Sequence, residues 1–277
     1  MSIERIPLAG VIGSPIAHSK SPQLHHHWLR TYGLRGHYIP MDVSSDNLKT
    51  VLETLPKMGF VGVNITVPYK ERVLDMADLV TDRATLIGAA NTLIFRKDGK
   101  IHADNTDGYG FVENLRQGAP GWNPKAGPAA LFGAGGAARA VVASLLDSGV
   151  PEIFVSNRTR IRAEKLAEDF GKRLTVVEWV KAGNILEDAS LVVNTTSLGM
   201  LGKPEMRVPL DGLRAKTVVT DLVYNPLQTR LLKIADAAGC QTVDGLGMLL
   251  HQAVPAFERW FGRRPVVDAA TRAAALR

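Results

Sequence analysis

The sequence contains a single cysteine among its 277 residues, so it cannot form an intrachain disulfide. The absence of disulfides is typical of a reducing compartment, and the residues around Cys240 predict the start of a buried strand. The chain also lacks an apolar run long enough to cross a bilayer, and its first residues lack the pattern of a signal peptide. We therefore expect a cytoplasmic protein with no membrane partner.

Charge of one sign does not cluster anywhere along the chain, and aromatic residues make up only 6% of it. The 33 basic and 27 acidic residues leave a net charge of +6. This excess has neither the basic runs nor the interleaved aromatic residues of a nucleic-acid surface. A mild positive charge suits small anionic ligands, so we expect a small-molecule partner and no nucleic acid.

A glycine-rich stretch near the middle of the chain has the pattern of a dinucleotide-binding loop. It follows an apolar strand at 129–132 and precedes a helix-forming stretch at 137–146. Gly133 allows a sharp turn, Gly135 leaves room for a pyrophosphate, and Ala138 allows the helix to pack closely on the strand. The predicted cofactor-binding residues of this loop are Gly133, Ala134, Gly135, Gly136, Ala137 and Ala138.

Strand-like and helix-like segments alternate along the chain, which predicts two α/β domains with mostly parallel sheets. We assign residues 1–106 to a substrate-binding and catalytic domain, and residues 107–244 to a Rossmann-like, doubly wound nucleotide domain. Two predicted helices near the C-terminus have no strand to pair with. We therefore expect residues 245–277 to return to the first domain and complete it.

Two local predictions concern the first domain. Residues 91–103 have the pattern of a β-hairpin with an Asp-Gly turn at residues 98 and 99. The apolar strand at 60–67 is followed by a stretch that predicts a helix through about residue 79.

The segment after the second strand of the nucleotide domain indicates which dinucleotide is bound. An NAD-specific domain has an acidic residue here, whereas this chain has Asn157, Arg158 and Thr159, with Arg162 nearby. A guanidinium group pairs with a 2′-phosphate in a bidentate manner. The sequence therefore favours NADP over NAD, with these four residues as further cofactor-binding candidates.

Two polar segments of the first domain are candidates for the chemistry. Asn64, Thr66 and Lys70 lie at the end of an apolar strand, where ligands bind in parallel sheets. Residues 104–108, which include Asp107, lie at the expected junction between the domains. A lysine held by an aspartate is able to exchange a proton with a hydroxyl group during hydride transfer. Spacing alone leaves open that Lys70 is a surface lysine and Asp107 a helix N-cap.

Several segments, in the same order, resemble the shikimate dehydrogenase family and together cover nearly the whole chain. They are residues 11–22, 64–70, 88–92, 104–108, 133–138, 157–159, 194–196, 221–226 and 244–248. The family reduces 3-dehydroshikimate to shikimate with NADPH, in the pathway to chorismate and the aromatic amino acids. The resemblance implies an NADP-dependent oxidoreductase.

The resemblance also assigns roles to individual residues. It implies that Lys70 and Asp107 are the catalytic pair, and that Ser19 and Ser21 bind the substrate carboxylate. The positions matching those that hold the ring hydroxyls are Asn64, Thr66, Asn91 and Gln252. The positions near the nicotinamide and the substrate are Tyr224, Gly245 and Met248, and Thr195 is a further cofactor-binding candidate.

One motif departs from the family. The usual His-Asn pair is replaced by His25 and His26, followed by His27. Three successive histidines cannot face the same direction on a helix, so we predict no metal site. We expect His25 to keep a packing role, whereas the polar partner of the replaced asparagine is left in doubt.

Two other functions and two oligomeric states stay open at this point. A quinate or dual quinate/shikimate dehydrogenase using NAD(P) requires only a pocket that admits one more hydroxyl group. A non-catalytic metabolite-binding module would be expected to have lost Lys70 or Asp107. The family contains both monomers and homodimers.

Overall fold

The computed structural model describes residues 6–276, which form two compact units. One unit consists of residues 6–106 and 250–276, and the other of residues 107–249. Each unit is built on its own six-stranded sheet. The predicted two-domain α/β fold is confirmed.

Twelve strands are found in the described residues. They are β1 (Leu8–Gly13), β2 (His37–Asp42), β3 (Phe60–Ile65), β4 (Leu79–Val80), β5 (Thr92–Phe95), β6 (Ile101–Asp104), β7 (Ala129–Phe132), β8 (Ile153–Ser156), β9 (Leu174–Val177), β10 (Leu191–Asn194), β11 (Val218–Asp221) and β12 (Gln241–Val243).

Nine α-helices accompany these strands in the described residues. They are α1 (Ser21–Thr31), α2 (Leu48–Thr54), α3 (Asp82–Ile87), α4 (Asp107–Gly118), α5 (Gly136–Ser148), α6 (Arg160–Phe170), α7 (Arg230–Ala237), α8 (Leu246–Phe261) and α9 (Ala269–Leu276). None of the helices in residues 6–276 is long and apolar enough to span a bilayer.

The sheet of the first unit has the strand order β2-β1-β3-β5-β6-β4. Strand β1 runs parallel to β2 and β3, while β5 runs antiparallel to β3 and β6. The hairpin of β5 and β6 is therefore confirmed, and its turn contains Gly99 with φ +83°. Buried apolar side chains from β1, β3 and β5, such as Ile12, Val63 and Leu93, form the core.

The predicted helix after residue 67 is wrong. The chain there forms only a short 3₁₀ segment, Arg72–Met76, and then enters β4, which pairs with β6. The carboxylate of Asp78 accepts a hydrogen bond from the Ile101 N–H at 2.8 Å. Pairing with a distant strand thus overrides the local helical pattern.

The C-terminal helices return to the first unit, as predicted. Trp28 of α1 donates from Nε1 to the Thr271 hydroxyl of α9 at 3.3 Å. The Val266 N–H, just before α9, donates to the Tyr32 hydroxyl at 2.9 Å. Helix α8 carries Phe257 and Trp260 into an aromatic cluster with α1.

The second unit has the strand order β12-β11-β10-β7-β8-β9, and all its strand pairs are parallel. This is the doubly wound arrangement that the sequence predicts. Consecutive side chains of β7 point to opposite faces of the sheet. Leu131 packs in the cluster on one face, and Phe132 packs in the cluster on the other face. Because the strands are parallel, their carboxyl ends lie at the same edge of the sheet, where the loops that follow them begin.

Candidate active site

The glycine-rich loop connects β7 to α5, which confirms the strand–turn–helix context of the motif. Gly133 has φ +112°, and a Cβ atom placed on it would overlap with the Thr195 hydroxyl group. Ala138 is fully buried in the core of the second unit. Both positions therefore require the small residues that the sequence provides.

The N-terminus of α5 fits a phosphate group. Gly135 is its N-cap, and no side chain caps the helix. Cβ atoms built on Gly135 and Gly136 would meet no other atom within 4 Å. Backbone N–H groups at a helix start attract anions, and the space here leaves room for a pyrophosphate to reach them. These residues fit a dinucleotide cofactor.

A basic loop follows β8 and leads into α6. Asn157 donates from Nδ2 to the Thr159 carbonyl at 2.8 Å, and Thr159 is the N-cap of α6. Arg160 is paired with Glu164 and Glu178. Arg158 is exposed and forms no ion pair with any residue of the described chain. Its guanidinium group is thus available to an outside anion.

Arg162 lies on the first turn of α6 and lines a cavity of about 360 Å³ that Ala134 of the glycine-rich loop also lines. Arg139 and Lys165 line the same cavity, but both are paired with Asp169. The structure therefore brings the loop and the predicted Arg162 to one cavity, which Glu168 also lines.

Thr195 follows β10 and is held against the glycine-rich loop. Its backbone N–H and its hydroxyl both donate to the Phe132 carbonyl at 2.8 Å. The preceding Asn194 is buried and donates from Nδ2 to the Asp221 carboxylate at 2.9 Å. The ends of β7, β10 and β11 are thus tied together below the loop.

Asp221 is a buried carboxylate at the end of β11. It also accepts hydrogen bonds from the Val223 N–H at 3.0 Å and the Thr229 hydroxyl at 2.7 Å. Burial raises its pKa to about 6, although these hydrogen bonds oppose the rise. Asp221 therefore fixes both ends of the segment that contains Tyr224.

The three positions that the resemblance places near the nicotinamide and the substrate all belong to the second unit. Tyr224 is half-buried, and burial raises its pKa. A Cβ atom on Gly245 would overlap with the Leu222 carbonyl, so only glycine fits there. Met248 packs, partly buried, against the core of the unit.

Three substrate-site candidates lie at the carboxyl end of β3. Asn64 is buried and donates from Nδ2 to the Asn91 carbonyl and the Thr92 hydroxyl, both at 3.1 Å. Thr66 and Lys70 follow the strand and are partly exposed. The Lys70 carbonyl accepts a hydrogen bond from the Ala90 N–H at 2.7 Å, which fixes its backbone.

A polar network joins Asn91, Thr106 and Gln252. Asn91 donates from Nδ2 to Gln252 Oε1 at 3.1 Å and accepts at Oδ1 from the Thr106 N–H at 2.9 Å. The Thr106 hydroxyl donates to the Gln252 carbonyl at 2.8 Å. Asp107, which is buried, follows Thr106 directly and begins α4 in the second unit. Lys70 belongs to the first unit.

The two serines lie in the turn that leads into α1. The Ser21 N–H donates to the Ser19 hydroxyl at 3.3 Å. Ser21 is buried, while Ser19 is partly exposed. Two neutral hydroxyl groups, two residues apart, therefore lie at the entry to α1.

The histidine segment forms part of α1. His25 is fully buried, and its ring stacks on Tyr38 with centroids 3.8 Å apart and planes 9° apart. Burial lowers the pKa of His25 to about 3, so the ring is neutral. The predicted packing role of His25 is confirmed. His26 is only partly buried, and no hydrogen bond involving its side chain is found in the described residues.

Sequence reasoning missed Tyr38 and the partners of Asp104, which lies in the predicted polar segment. Tyr38 of β2 donates its hydroxyl proton to Asn64 Oδ1 at 2.8 Å. Asp104 accepts bidentate hydrogen bonds from Arg83, and one from the Thr81 hydroxyl at 2.8 Å. Burial raises the pKa of Asp104, but these hydrogen bonds outweigh the effect and lower it. The partners are far apart in the chain, and no local pattern indicates them.

Three family models match the chain. The shikimate dehydrogenase substrate binding domain matches residues 11–93, the shikimate/quinate 5-dehydrogenase model matches residues 123–207, and the shikimate 5′-dehydrogenase C-terminal domain matches residues 245–275. Together they include segments of both units.

Curated proteins and solved structures are similar over nearly the full length. A shikimate dehydrogenase (NADP⁺) from Cereibacter sphaeroides is 71% identical over 272 residues, which is 98% of each chain. A Thermus thermophilus shikimate 5-dehydrogenase, solved with NADP(H) and shikimate, is 38% identical with a TM-score of 0.86; the match covers 98% of this chain and 99% of that one. A Corynebacterium glutamicum quinate dehydrogenase, solved with NAD, is 34% identical with a TM-score of 0.90, over 97% of this chain and 98% of that one.

Proposed function

The chain belongs to the shikimate dehydrogenase family, and we propose that it reduces 3-dehydroshikimate reversibly to shikimate with NADPH, using Lys70 and Asp107 as its catalytic pair. The observation that carries this proposal is the 71% identity to the Cereibacter enzyme over nearly the whole chain. Each candidate motif also has a matching structural setting within its own unit, from the glycine-rich loop to the end of β3.

The reaction requires a proton as well as a hydride. NADPH supplies the hydride to the C3 carbonyl carbon of 3-dehydroshikimate. Lys70 donates a proton to the carbonyl oxygen as this becomes a hydroxyl group, and it accepts that proton in the reverse direction. Asp107 orients the ammonium group by charge attraction.

Neutral and polar side chains of the first unit bind the substrate. Ser19 and Ser21 offer hydroxyl groups to its carboxylate. Asn64, Thr66, Asn91 and Gln252 are the candidates for its ring hydroxyls. Hydrogen-bonded networks orient Asn64, Asn91 and Gln252 and so fix the direction of the donors and acceptors that remain for the substrate. A substrate lacking one hydroxyl would leave such a remaining group unpaired. Tyr224 is a further candidate for substrate binding, whereas Gly245 and Met248 are candidates for binding the cofactor; all three belong to the second unit.

The second unit binds NADP. The start of α5, where Gly135 and Gly136 leave open space, would hold the pyrophosphate. Arg158 would pair with the 2′-phosphate, supported by Asn157, Thr159 and Arg162. The absence of an ion-pair partner for Arg158 within residues 6–276 supports this role.

A dual quinate/shikimate dehydrogenase is the second candidate. The observation that supports it is the similarity to the quinate dehydrogenase over 97% of this chain, at 34% identity. Arg158 favours NADP and thus the first candidate. Measuring kcat/KM for shikimate and for quinate, each with NADP and with NAD, separates the two.

The catalytic pair is tested by NADPH consumption with 3-dehydroshikimate. Lys70→Ala should lower kcat about 10²- to 10⁴-fold, the usual size of a general acid–base contribution. The control is Lys57→Ala, which removes an exposed lysine of the same unit. Near-normal turnover in Lys70→Ala would rule out Lys70 as the proton donor, while the reaction itself is tested by the unaltered protein.

The location and assembly of the protein complete the proposal. A cytoplasmic location is supported by the single, buried Cys240, which suits a reducing compartment. The oligomeric state, a monomer or a homodimer, stays a prediction that sedimentation of the purified chain tests.

A further inference from the structure

Tyr38 is a buried residue that is hydrogen-bonded to the proposed substrate site without belonging to it. It lies on β2 with its side chain fully buried. Its hydroxyl group donates to Asn64 Oδ1 at 2.8 Å. Burial raises the pKa of Tyr38, and a hydrogen bond with the Ser21 side chain opposes that rise. The phenol oxygen thus lies between two residues proposed to bind opposite parts of the substrate.

The hydrogen bond from Tyr38 determines which way the Asn64 amide faces. The phenol O–H donates to Oδ1 and so stabilises the orientation in which Oδ1 faces Tyr38. Nδ2 then points toward the Asn91 carbonyl and the Thr92 hydroxyl. A reversed amide would lose the hydrogen bond that Tyr38 donates and would place its oxygen against the Asn91 carbonyl. Tyr38 therefore favours one of two amide orientations.

The ring of Tyr38 is itself held in place. It stacks on His25 with an interplanar angle of 9°, and the Trp260 ring lies 6.2 Å from it, between centroids. Neither ring nitrogen of His25 has a hydrogen-bond partner in the described residues. His25 thus acts on Tyr38 through its flat face, and the phenol oxygen has little freedom to move away from Asn64.

We propose that Tyr38 is a positioning residue for substrate binding, which acts by fixing the orientation of the Asn64 amide. This proposal rests on the proposed function, because it assumes that Asn64 contacts a ring hydroxyl of shikimate. Tyr38 does not touch substrate, and its contribution is made equally before and during the reaction. Its loss should therefore raise KM for shikimate and change kcat little.

The first test is Tyr38→Phe, which removes the hydroxyl group and keeps the stacked ring. KM for shikimate should rise about 10-fold, the size of one lost hydrogen bond, with KM for NADP unchanged. The control is Thr271→Val, which also removes a buried hydroxyl group. That hydroxyl accepts a hydrogen bond from Trp28 of the aromatic cluster and has no hydrogen bond with Asn64. Its KM for shikimate should match that of the unaltered protein.

A double-variant cycle distinguishes an effect that acts through Asn64 from a general loss of rigidity in the substrate site. In the Asn64→Ala background there is no amide to orient, so adding Tyr38→Phe should change KM less than 2-fold. An equal 10-fold rise in both backgrounds would overturn the proposal, as would an unchanged KM in Tyr38→Phe alone. Thermal unfolding of each variant shows whether the fold is retained.

A second variant decides the matter if Tyr38→Phe does not fold. His25→Leu keeps the phenol but removes the ring it stacks on, and it should raise KM for shikimate by a smaller factor; an unchanged KM would then overturn the proposal. If the unaltered protein does not oxidise shikimate with NADP, the proposed function is wrong and the role of Tyr38 falls with it. If it does, and the variants bind shikimate normally, only the role of Tyr38 is lost.

Discussion

The Thr195 hydroxyl group occupies the space that a Cβ atom on Gly133 would need. The two residues lie at the carboxyl ends of adjacent strands, β7 and β10. The same hydroxyl donates to the Phe132 carbonyl at 2.8 Å, so it cannot move without losing a buried hydrogen bond. Gly133 is therefore required by its neighbour as well as by its backbone angle.

We expect Gly133→Ala to weaken both the fold and NADPH binding. A positive φ costs an alanine about 1–2 kcal/mol, and the overlap with Thr195 adds to this. The control is Gly202→Ala, at φ +78° with no atom within 4 Å of the added Cβ, which has the backbone cost alone. Urea unfolding and NADPH titration measure the effects. Equal losses in both variants would show that the contact with Thr195 is unimportant.

The cofactor preference should depend on Arg158. Arg158→Asp places a carboxylate where the 2′-phosphate is proposed to bind, so KM for NADP should rise about 10- to 100-fold while KM for NAD falls. Arg160→Asp is the charge-matched control, because Arg160 is already paired with Glu164 and Glu178. Initial rates of shikimate oxidation give KM for NADP and KM for NAD in each variant and in the unaltered protein. An unchanged KM for NADP in Arg158→Asp would contradict the role of Arg158.

The parts of the fold that the sequence predicts are those set by local patterns. Strand β7 has the predicted bounds, 129–132, because it is an apolar run that ends at Gly133. Helix α3 was missed although its signals are present: Thr81 caps it by accepting from the Ala84 N–H at 3.3 Å, and Gly88 ends it at φ +71°. The helix predicted to precede it obscured these signals.

The parts of the site that escaped prediction depend on contacts between distant segments. Tyr38 and Asn64 are 26 residues apart, on strands β2 and β3 that flank β1, so their side chains meet only once the sheet has formed. The network of Asn91 with Gln252 joins residues 161 positions apart. Residue type and spacing therefore indicate which groups carry the chemistry, whereas the residues that orient them follow from the folded sheet.

Acid should destabilise the first unit through His25. Its pKa is lowered by burial from 6.5 to about 3, so the unfolded chain binds the proton more tightly. The stability that the neutral ring provides is thus present above pH 6.5 and is lost as the pH falls toward 3, by up to about 4–5 kcal/mol.

The variant His25→Phe tests this contribution. It keeps a flat ring against Tyr38 and removes two buried nitrogens that have no partner in the described residues. Urea unfolding between pH 6.5 and 4 should show a smaller loss of stability than in the unaltered protein. His37→Gln, which removes an exposed imidazole, is the control. The same slope in His25→Phe and the unaltered protein would contradict the prediction.

Asp221 should have the opposite effect in the second unit. Its folded-state pKa of about 6 lies above the usual 3.8, because burial and the nearby charge of Glu205 disfavour the carboxylate. The folded chain then binds the proton more tightly, so the unfolding free energy falls as the pH rises from about 4 to 6. The change is at most about 3 kcal/mol.

Asp221→Asn removes this titration while retaining an oxygen that is able to accept from Asn194 or Thr229. Between pH 4 and 6 its unfolding free energy should therefore rise more steeply with pH than that of the unaltered protein. Asp211→Asn, which neutralises an exposed carboxylate of the same unit, should keep the slope of the unaltered protein. Because His25 and Asp221 act in opposite directions over this range, their effects largely cancel, and the double variant with His25→Phe should have nearly the slope of the unaltered protein. An unchanged slope in Asp221→Asn would assign the effect to another group.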